Sequence, residues 1–167
     1  MKNKALEDIY RLYLPDIFRY LYFLCHDYYL AEDLVSETFY RAFLFLEDCP
    51  GGKVKPWLFK VAYHAFIDFQ RKNHRVLLKD NSYFEQLREG EAPDLVLIRK
   101  ETMKQIADII NNLPGNQKQA ILLHDLAGIP YKEAAEIMNV SLNYFKVLLF
   151  RARQKIRTVD GRLGENE

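Results

Sequence analysis

The sequence is poor in the residues and segments on which several protein classes depend. Its 167 residues include only two cysteines, Cys25 and Cys49, too few for a disulfide-rich secreted scaffold and without the spacing of paired metal ligands. No apolar run approaches the roughly 20 residues that a membrane span needs, and the charged start of the chain lacks the apolar segment of a signal peptide. We therefore predict a cytoplasmic protein whose two thiols are buried rather than redox-active.

Enzyme motifs are missing as well. The chain has no glycine-rich phosphate loop, no nucleophile elbow and no cluster of metal-ligand residues. Asp33 and Glu37 stand one helical turn apart, but two acids on a charged helix are more typical of a solvated or docking face than of acid–base catalysis. His64 has no neighbouring ligand or nucleophile. The sequence predicts no enzyme activity, no small-molecule substrate, no cofactor and no metal.

Net charge is also nearly absent, since 24 basic and 23 acidic residues leave a total of +1. That total hides strong local segregation. Residues 27–48 contain six acids and one base, residues 53–75 contain six bases and one acid, and residues 141–157 contain five bases and no acid. The pattern indicates separate partners for separate surfaces; ordinary solvated helix faces are the alternative that charge alone leaves open.

Apolar residues recur at intervals of three and four along nearly the whole chain, which predicts an all-α protein. We expect helices at about 6–25, 29–46, 57–72, 95–113, 116–126, 131–138 and 142–157. Pro15 either kinks the first helix or begins a new one. Residues 73–94 are polar and weakly periodic, which is typical of a linker. The predicted organisation is two small helical domains, residues 1–75 and 95–167, joined by a flexible linker over residues 76–94.

Residues 131–157 carry the pattern of a helix-turn-helix. Small Ala134 and Ala135 lie in a short first helix, where a second helix must approach closely. Asn139 stands at the turn, where it tolerates the left-handed conformation, and Ser141 is a good N-cap for the second helix. Because such a second helix enters the major groove and its bases reach phosphates, the pattern predicts DNA binding. A tight helical hairpin with a solvated basic face is the alternative.

The predicted third helix combines aromatic and basic side chains. Aromatics beside bases suit unstacked, single-stranded nucleic acid. Most of these aromatics also fit a core stripe, so packing is the simpler interpretation for them. His64 lies off that stripe and is therefore a candidate polar reader. The aromatic and basic residues concerned are Trp57, Phe59, Lys60, Tyr63, Phe66, Phe69, Arg71 and Lys72.

Several segments of the chain resemble the extracytoplasmic-function (ECF) sigma factors, the promoter-specificity subunits of bacterial RNA polymerase. The segments similar to the family's region 2 are AEDLVSETF at 31–39, KPWLFKVA at 55–62 and IDFQRK at 67–72. Those similar to its region 4 are LP at 113–114, GIPYKEAA at 128–135 and FRAR at 150–153. Because they occur in the family's order and spacing across nearly the whole chain, the chain is identified as a member.

The resemblance implies a partner for each charged segment. Residues 1–75 would be sigma region 2, whose acidic helix docks on the clamp coiled coil of the largest polymerase subunit and whose basic helix captures the −10 element with an unstacked base. Residues 95–167 would be region 4, which binds the −35 element as duplex, and residues 76–94 would span between the two. The residues carried over are Asp33, Leu34, Val35 and Glu37 for docking; Trp57, Lys60, His64, Asp68, Arg71 and Lys72 for the −10 element; and Ser141, Asn143, Tyr144, Lys146, Arg151 and Arg153 for the −35 element.

Implied partners are core RNA polymerase, promoter DNA and an anti-sigma factor, which in this family is often membrane-anchored. The chain departs from the family pattern at His64, where the family usually has Asn, and at Ser36, where it usually has Gln. In the recognition helix, Val147 and Leu148 replace polar groove-facing residues. We therefore expect the −35 contacts to depend more on the remaining polar residues, on phosphate anchoring and on DNA shape.

Two other functions explain part of the sequence. A stand-alone helix-turn-helix regulator of transcription accounts for residues 131–157 but has no use for the acidic segment at 31–39. A helical adaptor with a basic face accounts for less, because an acid-free recognition helix favours nucleic acid.

Overall fold

The computed structural model describes the backbone of residues 2–77 and 100–164, and the side-chain surroundings of residues 4–73 and 105–158. Every regular element in those ranges is helical, which confirms the all-α prediction. The chain forms two compact units, Met1–Ala92 and Pro93–Glu167. The predicted linker lies outside the described residues except for its first two, which continue a helix. Of the helices in the described part, none combines the length and hydropathy that a membrane crossing requires.

The first unit is a bundle of three helices: α1 (Lys2–Cys25), α2 (Tyr28–Leu44) and α3 (Val54–Leu77). Each helix contacts the other two, and each contributes an apolar stripe to one core. The largest fully buried side chains of this core are Ile17, Tyr20, Leu21, Phe23, Thr38, Leu58 and Phe59. The buried Thr38 hydroxyl donates to the Leu34 carbonyl at 2.7 Å, which satisfies it inside the helix.

Local chemistry explains where these helices begin and end. α1 continues through Pro15 without a break. The Asp27 side chain caps α2 by accepting from the Leu30 N–H at 3.2 Å, so this acid serves folding. α2 ends two residues before its predicted end because the backbone tightens into the 3-10 turn Leu46–Asp48. Gly52 then adopts a φ of 78°, which glycine accepts without strain, before α3 begins.

The second unit contains α4 (Lys100–Asn111), α5 (Gly115–Ile121), α6 (Tyr131–Met138) and α7 (Leu142–Gly164). α7 contacts each of the other three and forms the centre of the unit. The buried apolar residues that α7 contributes are Phe145, Leu148, Leu149 and Ala152. The α6 boundaries agree with the prediction, whereas α7 runs past its predicted end at residue 157.

The helix predicted over residues 116–126 changes character halfway. After α5 the chain widens into a π-helical segment, Leu122–Leu126. The Ala127 N–H donates to the Leu122 carbonyl five residues back at 3.0 Å, in place of the usual four. This wider turn carries His124 and Asp125, which contact α6 and α7 as described below.

The turn between α6 and α7 has the predicted geometry. Asn139 adopts the left-handed conformation, with φ 55° and ψ 47°. The Val140 N–H donates to the Ala135 carbonyl at 3.0 Å, which closes the end of α6. The Ser141 hydroxyl oxygen accepts from the Tyr144 N–H at 3.1 Å and caps α7. These local contacts confirm the helix-turn-helix.

The prediction that both thiols are buried is wrong. Cys25 and Cys49 are each half-buried, because Cys25 ends α1 and Cys49 follows the 3-10 turn instead of lying on an apolar stripe. Partial burial still raises the pKa of the Cys49 thiol. A raised pKa favours the protonated, less reactive form.

Candidate functional site

The four residues of α2 that are predicted to dock on the polymerase are of two kinds. Asp33 and Glu37 are exposed one turn apart. Leu34 and Val35 are 4% and 6% exposed and belong to the core. The two acids line a cleft of about 320 Å³ between α2 and α3. The charges are thus presented to solvent, while the two apolar residues hold the helix in place.

Arg41 connects this acidic face to α3. Its Nε donates to Glu37 Oε1 at 2.8 Å, and its Nη1 donates to Asp68 Oδ2 at 2.8 Å. The hydrogen bond to Glu37, followed by that to Asp68, raises the pKa of Arg41 against the opposing effect of burial. Arg71 Nη2 lies 3.4 Å from Asp68 Oδ1. A chain of four charges therefore runs from α2 to α3.

α3 presents three basic residues on the surface and buries two of its five Phe, Tyr and Trp side chains. Lys60, Arg71 and Lys72 are exposed. Phe59 and Phe66 are buried, at 0% and 6% exposure, which confirms core packing as the interpretation for these two aromatics. The other aromatics of the helix, namely Trp57, Tyr63 and Phe69, are half-buried.

His64 is exposed beside the half-buried Tyr63, with ring centroids 5.7 Å apart. Partial burial, followed by the positive charge of Lys60, lowers the pKa of its imidazole. A lowered pKa keeps the ring neutral at pH 7, where one nitrogen donates and the other accepts a hydrogen bond. Such a ring can contact either edge of a base.

The recognition helix α7 exposes polar residues at its start. Asn143, Tyr144 and Lys146 lie in its first two turns and are exposed, as is Arg151 further along. The two cations among them, Lys146 and Arg151, form no ion pair with another described residue. Ser141 is exposed, but its oxygen caps the helix.

The two departures from the family pattern in α7 behave differently. Val147 is 42% exposed, whereas Leu148 is 3% exposed and therefore belongs to the core. Phe150 is 63% exposed. It lies on a groove of about 610 Å³ that three basic residues, two aromatics, a leucine and a glutamine line, namely Lys146, Arg153, Arg157, Tyr131, Phe150, Leu149 and Gln154.

Arg153 is not a free cation. Its Nε and Nη2 donate to the two oxygens of Asp125 at 2.9 and 2.6 Å. This bidentate pair, with its side-chain hydrogen bond as the leading cause, strongly raises the pKa of Arg153. It ties α7 to the π-helical segment, so Arg153 fixes the helix-turn-helix frame and offers less charge to a phosphate than its sequence position indicates.

A second contact orients α6. The His124 ring stacks on Tyr131 with centroids 4.2 Å apart. His124 Nδ1 lies 2.8 Å from the Ile129 carbonyl, which can only accept, so Nδ1 carries the proton. Sequence reasoning did not single out Arg41, His124 or Asp125. Only the spacing of Arg41 one turn after Glu37 was a readable signal.

Comparisons with known proteins assign this arrangement to a family. Residues 9–76 match the Sigma-70 region 2 family and residues 103–156 match the Sigma-70 region 4 family. The curated relative SigM, an ECF RNA polymerase sigma factor of Bacillus subtilis, is 38% identical over 162 residues, covering 95% of this chain and 96% of SigM. YlaC of the same species, an RNA polymerase sigma factor, is 28% identical over 161 residues, which cover 94% of this chain and 93% of YlaC.

A solved structure has the same architecture. It is the sigma factor RpoE in complex with the anti-sigma factor NepR from Bartonella quintana, similar with a TM-score of 0.81 at 25% identity over 93% of this chain and 96% of RpoE. With both sigma-70 regions in order and a curated relative matched over nearly its whole length, this chain belongs to the ECF family of RNA polymerase sigma factors.

Proposed function

We propose that this ECF sigma factor uses three of its helices as three separate contact surfaces. The exposed acids of α2 dock on core RNA polymerase, α3 captures and helps to melt the −10 element, and α7 binds the −35 element. The observation that carries the proposal is the segregation of exposed charge. Acids lie on α2, bases lie on α3, and the start of α7 has bases without acids.

For docking, Asp33 supplies the most available charge. It is exposed and forms no ion pair with any other described residue, whereas Glu37 shares its charge with Arg41. A basic surface on the polymerase would be attracted to both carboxylates, and the attraction would set orientation as well as affinity. Leu34 and Val35 contribute by keeping α2 packed.

For the −10 element, the exposed Lys60 and Lys72 follow the DNA backbone. Trp57 is half-buried, and its indole is the aromatic surface on which an unstacked base stacks. The neutral His64 ring offers a donor and an acceptor to a base edge. Asp68 acts through the arginines it binds, a role developed below.

For the −35 element, the first turns of α7 lie in the major groove. Asn143 has the amide that pairs well with adenine, and Tyr144 and Lys146 flank it. Arg151 contacts phosphates, and Arg153 holds the frame through Asp125. A stand-alone regulator is not favoured, because the family match includes region 2 as well as the helix-turn-helix.

The proposal assigns no reaction to this chain, since nucleotide addition belongs to the polymerase. The protein works in the cytoplasm, where the polymerase and the chromosome are. An anti-sigma factor is the further partner we propose, because the structurally similar RpoE is found bound to NepR. Exposed aromatics such as Tyr40 and Phe45, at 60% and 56%, offer apolar surface that a partner could cover.

Reconstituted transcription tests the proposal. Purified bacterial core polymerase and the full chain are incubated with a pool of DNA templates that carry randomised promoter segments, and the transcripts are sequenced. We expect transcripts from a small class of templates that share two motifs, and none from core alone. Binding of the chain to duplex DNA without any chain-dependent transcript would overturn the proposal in favour of a stand-alone regulator.

A further inference from the structure

Four side chains form one continuous ion-pair chain between the acidic and the basic helix of the first unit. Arg41 bonds Glu37 and Asp68, each at 2.8 Å, and Asp68 in turn contacts Arg71 at 3.4 Å. The middle of the chain is the more sheltered part, since the Arg41 and Asp68 side chains are 25% and 33% exposed. Arg71, at the end, is 68% exposed.

Asp68 is an unexpected residue on a surface that binds DNA. It is the one acid among the bases of residues 53–75. An unbalanced carboxylate there would repel phosphates and would also hold Arg71, three residues away, in an internal ion pair. Either effect lowers the positive charge that α3 offers to a DNA strand.

Arg41 counteracts this. Its bond to Asp68 Oδ2 is 0.6 Å shorter than the contact of Arg71 with Asp68 Oδ1, 2.8 Å against 3.4 Å. Its second bond, to Glu37, fixes the direction of the guanidinium, which is a planar group suited to two carboxylates at once. The charge of Asp68 is therefore balanced mainly from α2.

We propose that Arg41 is a positioning residue for −10 recognition: by balancing Asp68 from the docking helix, it leaves Arg71 available to the non-template strand. This inference rests on the proposed function of α3. It adds that a residue of the docking helix sets the DNA affinity of the neighbouring helix, and that Asp68 acts on DNA only through the arginines beside it.

A double-mutant cycle tests the inference on the complete holoenzyme. The probe is a fluorescently labelled single-stranded oligonucleotide that carries the −10 motif selected in the transcription experiment, titrated at one fixed salt concentration. Arg41→Gln is made in the natural chain and in an Asp68→Asn background. We expect a loss of affinity of about tenfold in the first and about twofold or less in the second, because the two residues are coupled.

Additivity would overturn the inference. Equal losses in the two backgrounds mean that Arg41 acts only as one more distant cation, and no loss in the natural chain means that it does not act at all. The same cycle in an Arg71→Gln background is expected to remove the effect as well, because Arg71 is the residue that Arg41 frees. A full effect of Arg41→Gln without Arg71 would contradict the proposed route.

Folding is followed for each variant by circular dichroism. If Arg41→Gln does not fold, Arg41→Lys repeats the cycle, since lysine keeps the charge but cannot bond both carboxylates through one planar group. A loss that occurs in the natural chain but not in the Asp68→Asn background supports the inference, and equal losses contradict it. Failure of the natural holoenzyme to bind the oligonucleotide would instead overturn the function proposed for α3.

Discussion

The two helices proposed to bind DNA obtain their positive charge in different ways. On α3, the bases surround an acid, Asp68, whose charge is balanced by Arg41 from α2. The first four turns of α7 contain no acid, and Lys146 and Arg151 form no ion pair with other described residues. An Arg–Asp pair occurs in the second unit too, but there it joins Arg153 to the π-helical segment.

Because of this difference, we expect the effects of substitutions on DNA affinity to combine differently on the two helices. Cations that share no partner are expected to contribute independently, whereas residues in one ion-pair chain are not. The losses of DNA affinity caused by substitutions of Lys146 and Arg151 on α7 should therefore be additive. The losses caused by substitutions in the ion-pair chain of α3 should not be additive, because that chain includes residues of α2.

The largest expected effect separates the two units by stability. Phe145 is fully buried in the second unit, and Phe145→Ala should cost about 3–5 kcal/mol there. Trp57 is the only tryptophan and lies in the first unit, so its fluorescence reports that unit alone. In Phe145→Ala, the midpoint of urea unfolding measured by fluorescence should be unchanged. Part of the unfolding transition measured by circular dichroism should move to a lower urea concentration.

The exposed Phe150 provides the control, because Phe150→Ala should change stability by about 0.5 kcal/mol or less. If the fluorescence midpoint moves together with the dichroism in Phe145→Ala, the two units unfold as one. The surfaces of α3 and α7 would then not belong to independently stable units.

The next effect concerns docking. Asp33→Arg places a cation on the acidic face of α2 and should weaken core polymerase binding about 100-fold, because like charges then meet at the interface. Glu32→Arg is the matched control, since Glu32 is also exposed but points to another side of the helix. Binding by native gel or titration measures both. Equal affinity of Asp33→Arg and the natural chain would remove the docking assignment.

A smaller effect is expected on the −35 surface. Arg151→Ala should weaken duplex binding about equally across sequences and reduce the salt slope by about one unit, because one phosphate contact is lost. Titrations of the full chain in holoenzyme at several salt concentrations measure the slope. A loss confined to particular sequences would show that Arg151 reads a base instead.

The smallest effect is a pH dependence from His64. Its pKa is lowered from 6.5 by partial burial and by Lys60, so the ring is neutral at pH 7 and gains a charge only below pH 6.5. Protonation adds a positive charge to α3 and should strengthen single-strand binding about twofold on acidification. The same protonation is easier in the unfolded chain, so it lowers the stability of the first unit below pH 6.5.

His64→Gln isolates that contribution, because the ratio of the two affinities cancels the titration of other groups. The ratio should be constant near pH 7 and change in acid. A ratio that stays constant throughout would show that His64 does not contact the strand.

Local patterns predicted much of the fold. The α6 boundaries follow from Pro130 and Asn139, and the start of α7 follows from Ser141, because the conformational preferences of these residues act within a few residues. Apolar residues at intervals of three and four along residues 29–46 place Leu34 and Val35 on one stripe, and the structure has both in the core. Phe43 lies on the same stripe, but it is in the last turn of α2 and is exposed.

The ion pairs could not be predicted in this way. Arg41 and Asp68 are 27 residues apart, and Asp125 and Arg153 are 28 apart. Each pair depends on how two helices pack, which a charge pattern along one helix does not specify. The π-helical segment was missed for a similar reason, because its apolar residues fit an ordinary helix equally well.

Titration of the full chain with bacterial core RNA polymerase, beside a control with promoter DNA alone, is the most direct test of sigma function. Tight binding to core with little binding to free DNA is the predicted result, since an ECF sigma factor binds core polymerase and directs it to promoters. Binding to DNA without binding to core would contradict it, because α2 would then have no docking role.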